Sequence, residues 1–141
     1  MSTLLDTNVL SELLRAQPDA AVLAWFAARP ADSLFVSAVT QAEMLLGARL
    51  LPAGKRRRQL EQSLEAMFSQ DFAGRVLPFD SSAAMQYADL TAGRQRAGLP
   101  ISQFDAQIAA IAASHRLGLA TRNVRGFEAC GLEVTNPWAS G

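Results

Sequence analysis

Five oxygen-bearing side chains recur at comparable places along the chain. Asp6 directly follows the apolar run Thr3-Leu4-Leu5, and Glu43 opens the helical stretch after Leu34-Phe35-Val36. Asp80 follows Arg75 to Phe79, Asp105 opens the helical stretch before Leu119-Ala120-Thr121, and Asn123 lies just beyond that run. If the apolar runs are parallel strands, all five positions fall along one rim of the sheet, where gathered carboxylates repel one another. A hard divalent cation resolves that conflict: Mg²⁺, with Mn²⁺ as the other possibility, prefers oxygen ligands, keeps several waters and needs only a few carboxylates. The chain has one histidine, His115, and one cysteine, Cys130. They cannot complete a closed zinc shell, and Cys130 cannot form an internal disulfide.

Each acid also has a simpler reading. Thr40-Gln41-Ala42-Glu43 has the spacing of a capping box, in which Glu43 reaches back to the Thr40 amide, and Ser102 with Asp105 repeats it. Asp80 reads most simply as a cap or turn residue before Ser81. Asp6 resists this reduction, because a carboxylate at the mouth of a buried strand is costly unless paired or metal-bound.

The elements that must position these residues alternate. Thr3 to Leu5, Leu34 to Val36, Arg75 to Phe79 and Leu119 to Thr121 read as strands, with Leu132 to Thr135 as a fifth. Between them run helical patterns: Val9, Leu10, Leu13 and Leu14; Ala21, Val22, Trp25 and Phe26; then Ala42, Leu45, Leu46 and Leu50 behind an N-cap at Thr40. Lys55 to Gln70 carries the stripe Leu60, Leu64, Met67 and Phe68. A helix capped by Ser81 or Ser82 runs through Met85, Tyr87, Ala88 and Thr91, and Phe104, Ile108 and Ile111 mark the last one. Alternating strands and helices predict an α/β fold, a three-layer domain with a central parallel sheet whose ligands bind beyond the carboxyl ends of the strands. The 141 residues, half of them hydrophobic, suit a single domain over 1–141. No apolar run approaches the ~20 residues that span a bilayer, and a cytoplasmic protein without membrane contact is expected. Thirteen basic and thirteen acidic residues cancel, so nucleic acid must be held by local charge. Arg122 and Arg125, flanking Asn123, are the first candidates for phosphate contacts, followed by Arg94 and Arg96; the Lys55-Arg56-Arg57-Arg58 run reads as a solvated helix start.

The segments Leu4-Leu5-Asp6-Thr7-Asn8-Val9-Leu10-Ser11-Glu12, Val36 to Glu43, Phe104-Asp105 and Thr121-Arg122-Asn123 before Phe127 resemble the PIN-domain ribonucleases. Within that family they are most similar to the VapC/FitB-like toxins of type II toxin–antitoxin systems, over Thr3 to about Pro137. The resemblance implies a PIN-like fold and a Mg²⁺- or Mn²⁺-dependent RNA endonuclease restrained by a small DNA-binding antitoxin, with operator DNA reached only through that antitoxin. It matches Asp6, Glu43 and Asp105 to the metal-binding acids and puts Asn123 where a fourth acidic or amide residue stands. Thr7 and Thr121 are implied as hydroxyl donors to carboxylate, water or phosphate. Many members carry an aspartate where this chain has Gly126, which favours one metal ion over two. In-line attack by an activated water, leaving a 5′-phosphate and a 3′-hydroxyl, is implied.

Trp25, Phe26, Met44 and Leu45 offer more apolar surface than one sheet face should bury, which with the resemblance points to a homodimer. Phosphatases and receiver domains that place an aspartate after the first strand fit poorly, since Asn8 stands where the former need a second acid and Lys55 is the only lysine. The competing expectation is a nucleic-acid or antitoxin-binding regulatory module with little or no nuclease activity.

Overall fold

The computed structural model describes residues 2–139. Five parallel strands, β1 (Thr3–Leu5), β2 (Leu34–Ser37), β3 (Val76–Leu77), β4 (Gly118–Ala120) and β5 (Val134–Thr135), form one sheet in the order β3-β2-β1-β4-β5. The helices are α1 (Thr7–Leu13), α2 (Ala20–Ala27), α3 (Ala38–Arg49), α4 (Lys55–Ala66), α5 (Ser81–Arg96) and α6 (Gln103–Ser114). A π-helical turn over Met67–Asp71 extends α4.

Strand geometry turns alternate residues to opposite faces, and the two buried layers follow that rule. Leu5, Leu34, Val36 and Ala120 pack with Val9, Leu10, Val22, Trp25, Leu64 and Phe68 from α1, α2, α4 and the π turn. Leu4, Leu119 and the half-buried Phe35 belong to the other layer, with Ile108, Ile111 and Ala112 of α6 and Phe127. Both faces of the sheet are covered, as a parallel sheet requires. Because β1 sits between β2 and β4, the chain leaves it in opposite directions, and the crevice beyond β1 and β4 is the switch point of the sheet.

Several boundaries differ from the sequence expectation. The third strand shrinks to Val76–Leu77, and the fourth ends at Ala120, so Thr121 stands just past it. Ser37, rather than Thr40, caps α3, its hydroxyl accepting from the Thr40 N–H at 2.9 Å. Asp80 caps α5 by accepting from the Ala83 N–H, displacing Ser81 and Ser82 from that role. On α3 the inward row is Thr40 and Ala48, with Met44 between them, while Ala42, Leu46 and Leu50 are exposed. Met85 and Phe104 are likewise exposed, and α5 instead buries Ala83 and Arg94. Apolar type alone misplaced these faces: Thr40 and Ala48 on α3, and Ala83 and Arg94 on α5, are buried where larger apolar side chains are not. Of the residues expected to crowd this region, Trp25 is buried in the first layer, and Phe26, Met44 and Leu45 are partly buried against it. Among the described residues no helix is long and apolar enough to cross a membrane.

Candidate active site at the carboxyl ends of β1 and β4

Asp6 closes β1 and opens α1. Its backbone still belongs to the sheet, donating to the Ala120 carbonyl at 2.9 Å, while its side chain caps α1 through the Thr7 N–H at 2.8 Å. This double duty fixes a carboxylate that is only 5% exposed. Its other oxygen accepts from the Thr121 hydroxyl at 2.7 Å and from Asn8 Nδ2 at 3.4 Å. Burial pushes the Asp6 carboxyl above the ordinary aspartate range; the Thr121 hydroxyl and the Thr7 N–H pull it back, and the charges of Asp105 and Glu43 push it up again.

Glu43 comes from α3, on the β2 side. The capping-box alternative fails here, because Ser37 satisfies the helix start and Glu43 turns elsewhere: Oε1 accepts from the Thr7 hydroxyl at 3.0 Å. The Thr7 and Thr40 hydroxyls lie 2.9 Å apart. Thr7 has a single proton, and it goes to Glu43; Thr40 therefore donates to Thr7, and a fully buried hydroxyl orients a half-buried one that orients the carboxylate. Asp105 sits in the first turn of α6, its backbone N–H held by the Ser102 N-cap hydroxyl at 3.2 Å. Its carboxylate has no hydrogen-bond donor among the described residues.

Asp6, Glu43 and Asp105 line one cleft of about 530 Å³ together with Thr7, Asn8, Ser11, Glu12, Arg15, Arg122 and Trp138. Among the described residues no three acidic, histidine or cysteine side chains are close enough together to form a tight ligand cluster. The donor set is all oxygen, drawn from β1, α3 and α6, and disposed around open space. That chemistry fits a hard cation that retains part of its hydration shell and suits neither zinc nor copper.

The family model described as PIN domain matches residues 3–131. The chain belongs to the PIN-domain family. It is 48% identical over 134 residues to the VapC ribonuclease Y4jK of Sinorhizobium fredii, covering 95% of this chain and 96% of that protein. It is 43% identical to the toxin FitB of Neisseria gonorrhoeae, covering 96% of this chain and 97% of that one. The crystal structure of FitAcB from Neisseria gonorrhoeae superposes with a TM-score of 0.92 at 42% identity, over 98% of this chain and 99% of that chain.

Within this PIN domain, Asn123 and Arg125 stand apart from the cleft. Asn123 folds back on its own loop, Oδ1 accepting from the Gly126 N–H at 3.2 Å. A Cβ on Gly126 would meet Asn123 Nδ2 at 2.3 Å, so the glycine makes room for this turn and an aspartate in its place would displace the asparagine. Arg122 does line the cleft, its guanidinium lying 5.1 Å from the centre of the Trp138 ring. Arg94 is withdrawn from any phosphate role by burial.

Sequence reasoning passed over Asn8, Glu12, Arg15 and Trp138. Asn8 bonds to Asp6 and Thr121 and accepts from the Arg122 N–H at 3.3 Å, joining the ends of β1 and β4. Its place two residues after Asp6 was the available signal. Nothing in the sequence brings Trp138 to the cleft, since that contact depends on how the chain leaves β5.

Proposed function

We propose that this protein is a divalent-metal-dependent RNA endonuclease, the toxin of a toxin–antitoxin pair, with Asp6, Glu43 and Asp105 holding Mg²⁺ or Mn²⁺. The observation that carries this reading is the convergence of three carboxylates from three elements on one cleft, with the most buried of them pushed toward its neutral form. A group in that condition is stabilised by a nearby cation. The relatives support the substrate class: one is named a ribonuclease, another a toxin.

Bound between these acids, the ion supplies positive charge to the phosphate oxygens and makes a water easier to deprotonate. The chain supplies the rest. Thr121, Asn8 and the Thr7 N–H fix both oxygens of Asp6, so its orientation is set before substrate arrives. The Thr40–Thr7 hydroxyl chain aims Glu43. One of the carboxylates would accept the proton of the attacking water, which approaches in line with the leaving 3′-oxygen; as the P–O3′ bond breaks, that oxygen takes up a proton from solvent water. Cleavage then leaves a 5′-phosphate and a 3′-hydroxyl, with no covalent intermediate and no part for His115, which caps α6 at its exposed end. Thr7 and Thr121 act through the carboxylates they hold, and Arg122 contacts the RNA backbone.

The partners follow from the same reading: a small DNA-binding antitoxin, operator DNA through it, and a second copy of the chain. A structural neighbour titled a toxin-antitoxin complex, from Klebsiella pneumoniae, supports an antitoxin partner. An arginine of the antitoxin placed among these acids would compete with the metal, so inhibition weakens as Mg²⁺ rises.

The test is cleavage of single-stranded RNA by the purified chain with Mg²⁺, with Mn²⁺ and with chelator, beside Glu43→Gln. Metal-dependent products with 5′-phosphate ends, lost in Glu43→Gln while its fold persists, support the reading. Metal-independent cleavage, or full activity in Glu43→Gln, overturns it; binding without cleavage identifies a regulatory module instead. Sedimentation across micromolar concentrations checks the homodimer, which a ~15 kDa species throughout would remove.

A further inference from the structure

Glu12 has no part in the chemistry above, yet it is only 6% exposed and lines the same cleft. Asp6 and Glu12 are the two buried carboxylates among the described residues. Their environments are opposite. Glu12 Oε2 accepts from the Asp19 N–H at 2.9 Å and from Arg15 Nη1 at 3.0 Å, and Oε1 accepts from the same nitrogen at 3.2 Å. The Asp19 N–H, with help from Arg15, lowers the Glu12 carboxyl against the opposing effect of burial, so it stays charged.

This bridge is anchored at one end and open at the other. Asp19 caps α2, so Glu12 ties the end of α1 to the start of the next helix. The Arg15 side chain is 65% exposed, lines the cleft, and uses only Nη1 toward Glu12. Its Nε and Nη2 have no acceptor among the described residues. The charge of the cleft makes that free edge informative: Asp6, Glu12, Glu43 and Asp105 line it against two cations, Arg15 and Arg122. A polyanion meets net repulsion there unless these arginines receive its phosphates, and a guanidinium fork held by a fixed carboxylate is preorganised for that task.

We infer that Arg15, held in place by Glu12, contacts a backbone phosphate of single-stranded RNA beside the one cut, complementing the Arg122 contact from the β4 side. Arg15 is thus a substrate-binding residue and Glu12 a positioning residue. The inference rests on the RNA-cleaving reading of the site, and it is separable from it by measuring binding without turnover.

The experiment is fluorescence anisotropy of a short mixed-sequence single-stranded RNA in chelator, over a range of salt concentrations, with wild type, Arg15→Ala and Arg15→Lys. Each neutralised phosphate on a single strand contributes about 0.7 to the slope of log affinity against log salt. Arg15→Ala is expected to weaken binding about tenfold at low salt and to flatten the slope by about 0.7, with little change in melting temperature. Arg15→Lys retains the slope and recovers part of the affinity, because it keeps the charge and loses the fork. A merely structural bridge moves the melting temperature and leaves the slope alone. Unchanged slope and affinity in Arg15→Ala, with wild type binding in a salt-dependent way, overturns this inference and leaves the nuclease reading standing. Absence of salt-dependent RNA binding by the wild type also overturns this inference, while the Mg²⁺-dependent cleavage assay decides the nuclease reading separately.

Discussion

Two buried charges, one on a helix and one at the carboxyl rim of the sheet, have been handled in opposite ways. Arg94, 4% exposed on α5, has no carboxylate within ion-pair range among the described residues. Instead it is saturated with backbone carbonyls: Nε donates to Leu99 at 2.6 Å, Nη2 to Pro100 at 3.2 Å, and Nη1 to Glu128. Asp6, equally buried, receives one backbone N–H, one hydroxyl and a long amide contact, and faces two further acids across a cleft. Arg94 staples the turn before α6 to the loop after Phe127. Asp6 is left short of positive charge. A buried charge whose partners are all internal belongs to the architecture, and one whose shortfall opens onto solvent is placed for something that arrives.

The largest effect that separates the two is expected at Asp6. Asp6→Asn should reduce single-turnover RNA cleavage by about a thousandfold, roughly 4 kcal/mol of barrier, while its urea midpoint at neutral pH stays the same or rises. Substantial destabilisation would make Asp6 a structural residue like Arg94. Next comes Arg94→Ala, which strands three carbonyls and should lower unfolding free energy by about 3 kcal/mol in urea titrations, with folded protein retaining metal-dependent cleavage. Arg94→Lys should recover only a small part, since a point charge cannot serve the three carbonyls of a planar fork. A smaller change is expected in Thr121→Val, which removes the hydroxyl that holds the Asp6 carboxyl down. Its deprotonation then moves to higher pH, so the acidic limb of the cleavage profile shifts the same way, with about 1 kcal/mol added to the effective barrier below neutrality.

The smallest difference is in the pH dependence of stability. The Asp6 carboxyl lies above its unfolded value of 3.8, so in the metal-free protein the folded state binds the proton more tightly. Stability gained from that proton is present at low pH and lost as pH rises through the folded value. Glu12 works the other way: lowered from 4.5, it stabilises above that value, and its contribution is lost as pH falls through the folded one. Relative to Asp6→Asn, the wild type should therefore gain stability as pH falls from neutrality toward the ordinary aspartate range. Parallel curves for the two proteins would show that Asp6 is not strained by its surroundings.

The parallel α/β architecture and the rim of acids were legible because strand length, alternation and terminal carboxylates are local properties of the chain. Asp6 stood out as a charge at the end of an apolar run. Glu43 did not, since its spacing from Thr40 equals that of a cap; only the Ser37 hydroxyl, three residues before Thr40, shows that the cap is already made. Arg94 reads in the sequence as a phosphate-contact candidate because its acceptors lie on loops up to 34 residues away. Glu12 and Arg15 were invisible for a related reason: an i,i+3 pair across the end of a short helix looks like solvated surface until the Asp19 N–H and the cleft are placed around it. Asn123 was singled out from its place after the fourth strand, but the Gly126 turn captures its side chain.

Binding of Mn²⁺ to the RNA-free protein, followed by electron paramagnetic resonance, tests most directly whether the shortfall at Asp6 is a metal site. The account predicts one saturable Mn²⁺ per chain in the wild type, displaced by Mg²⁺ and lost in Asp6→Asn, with Arg94→Lys unaffected where folded. Equal Mn²⁺ binding by wild type and Asp6→Asn would contradict it.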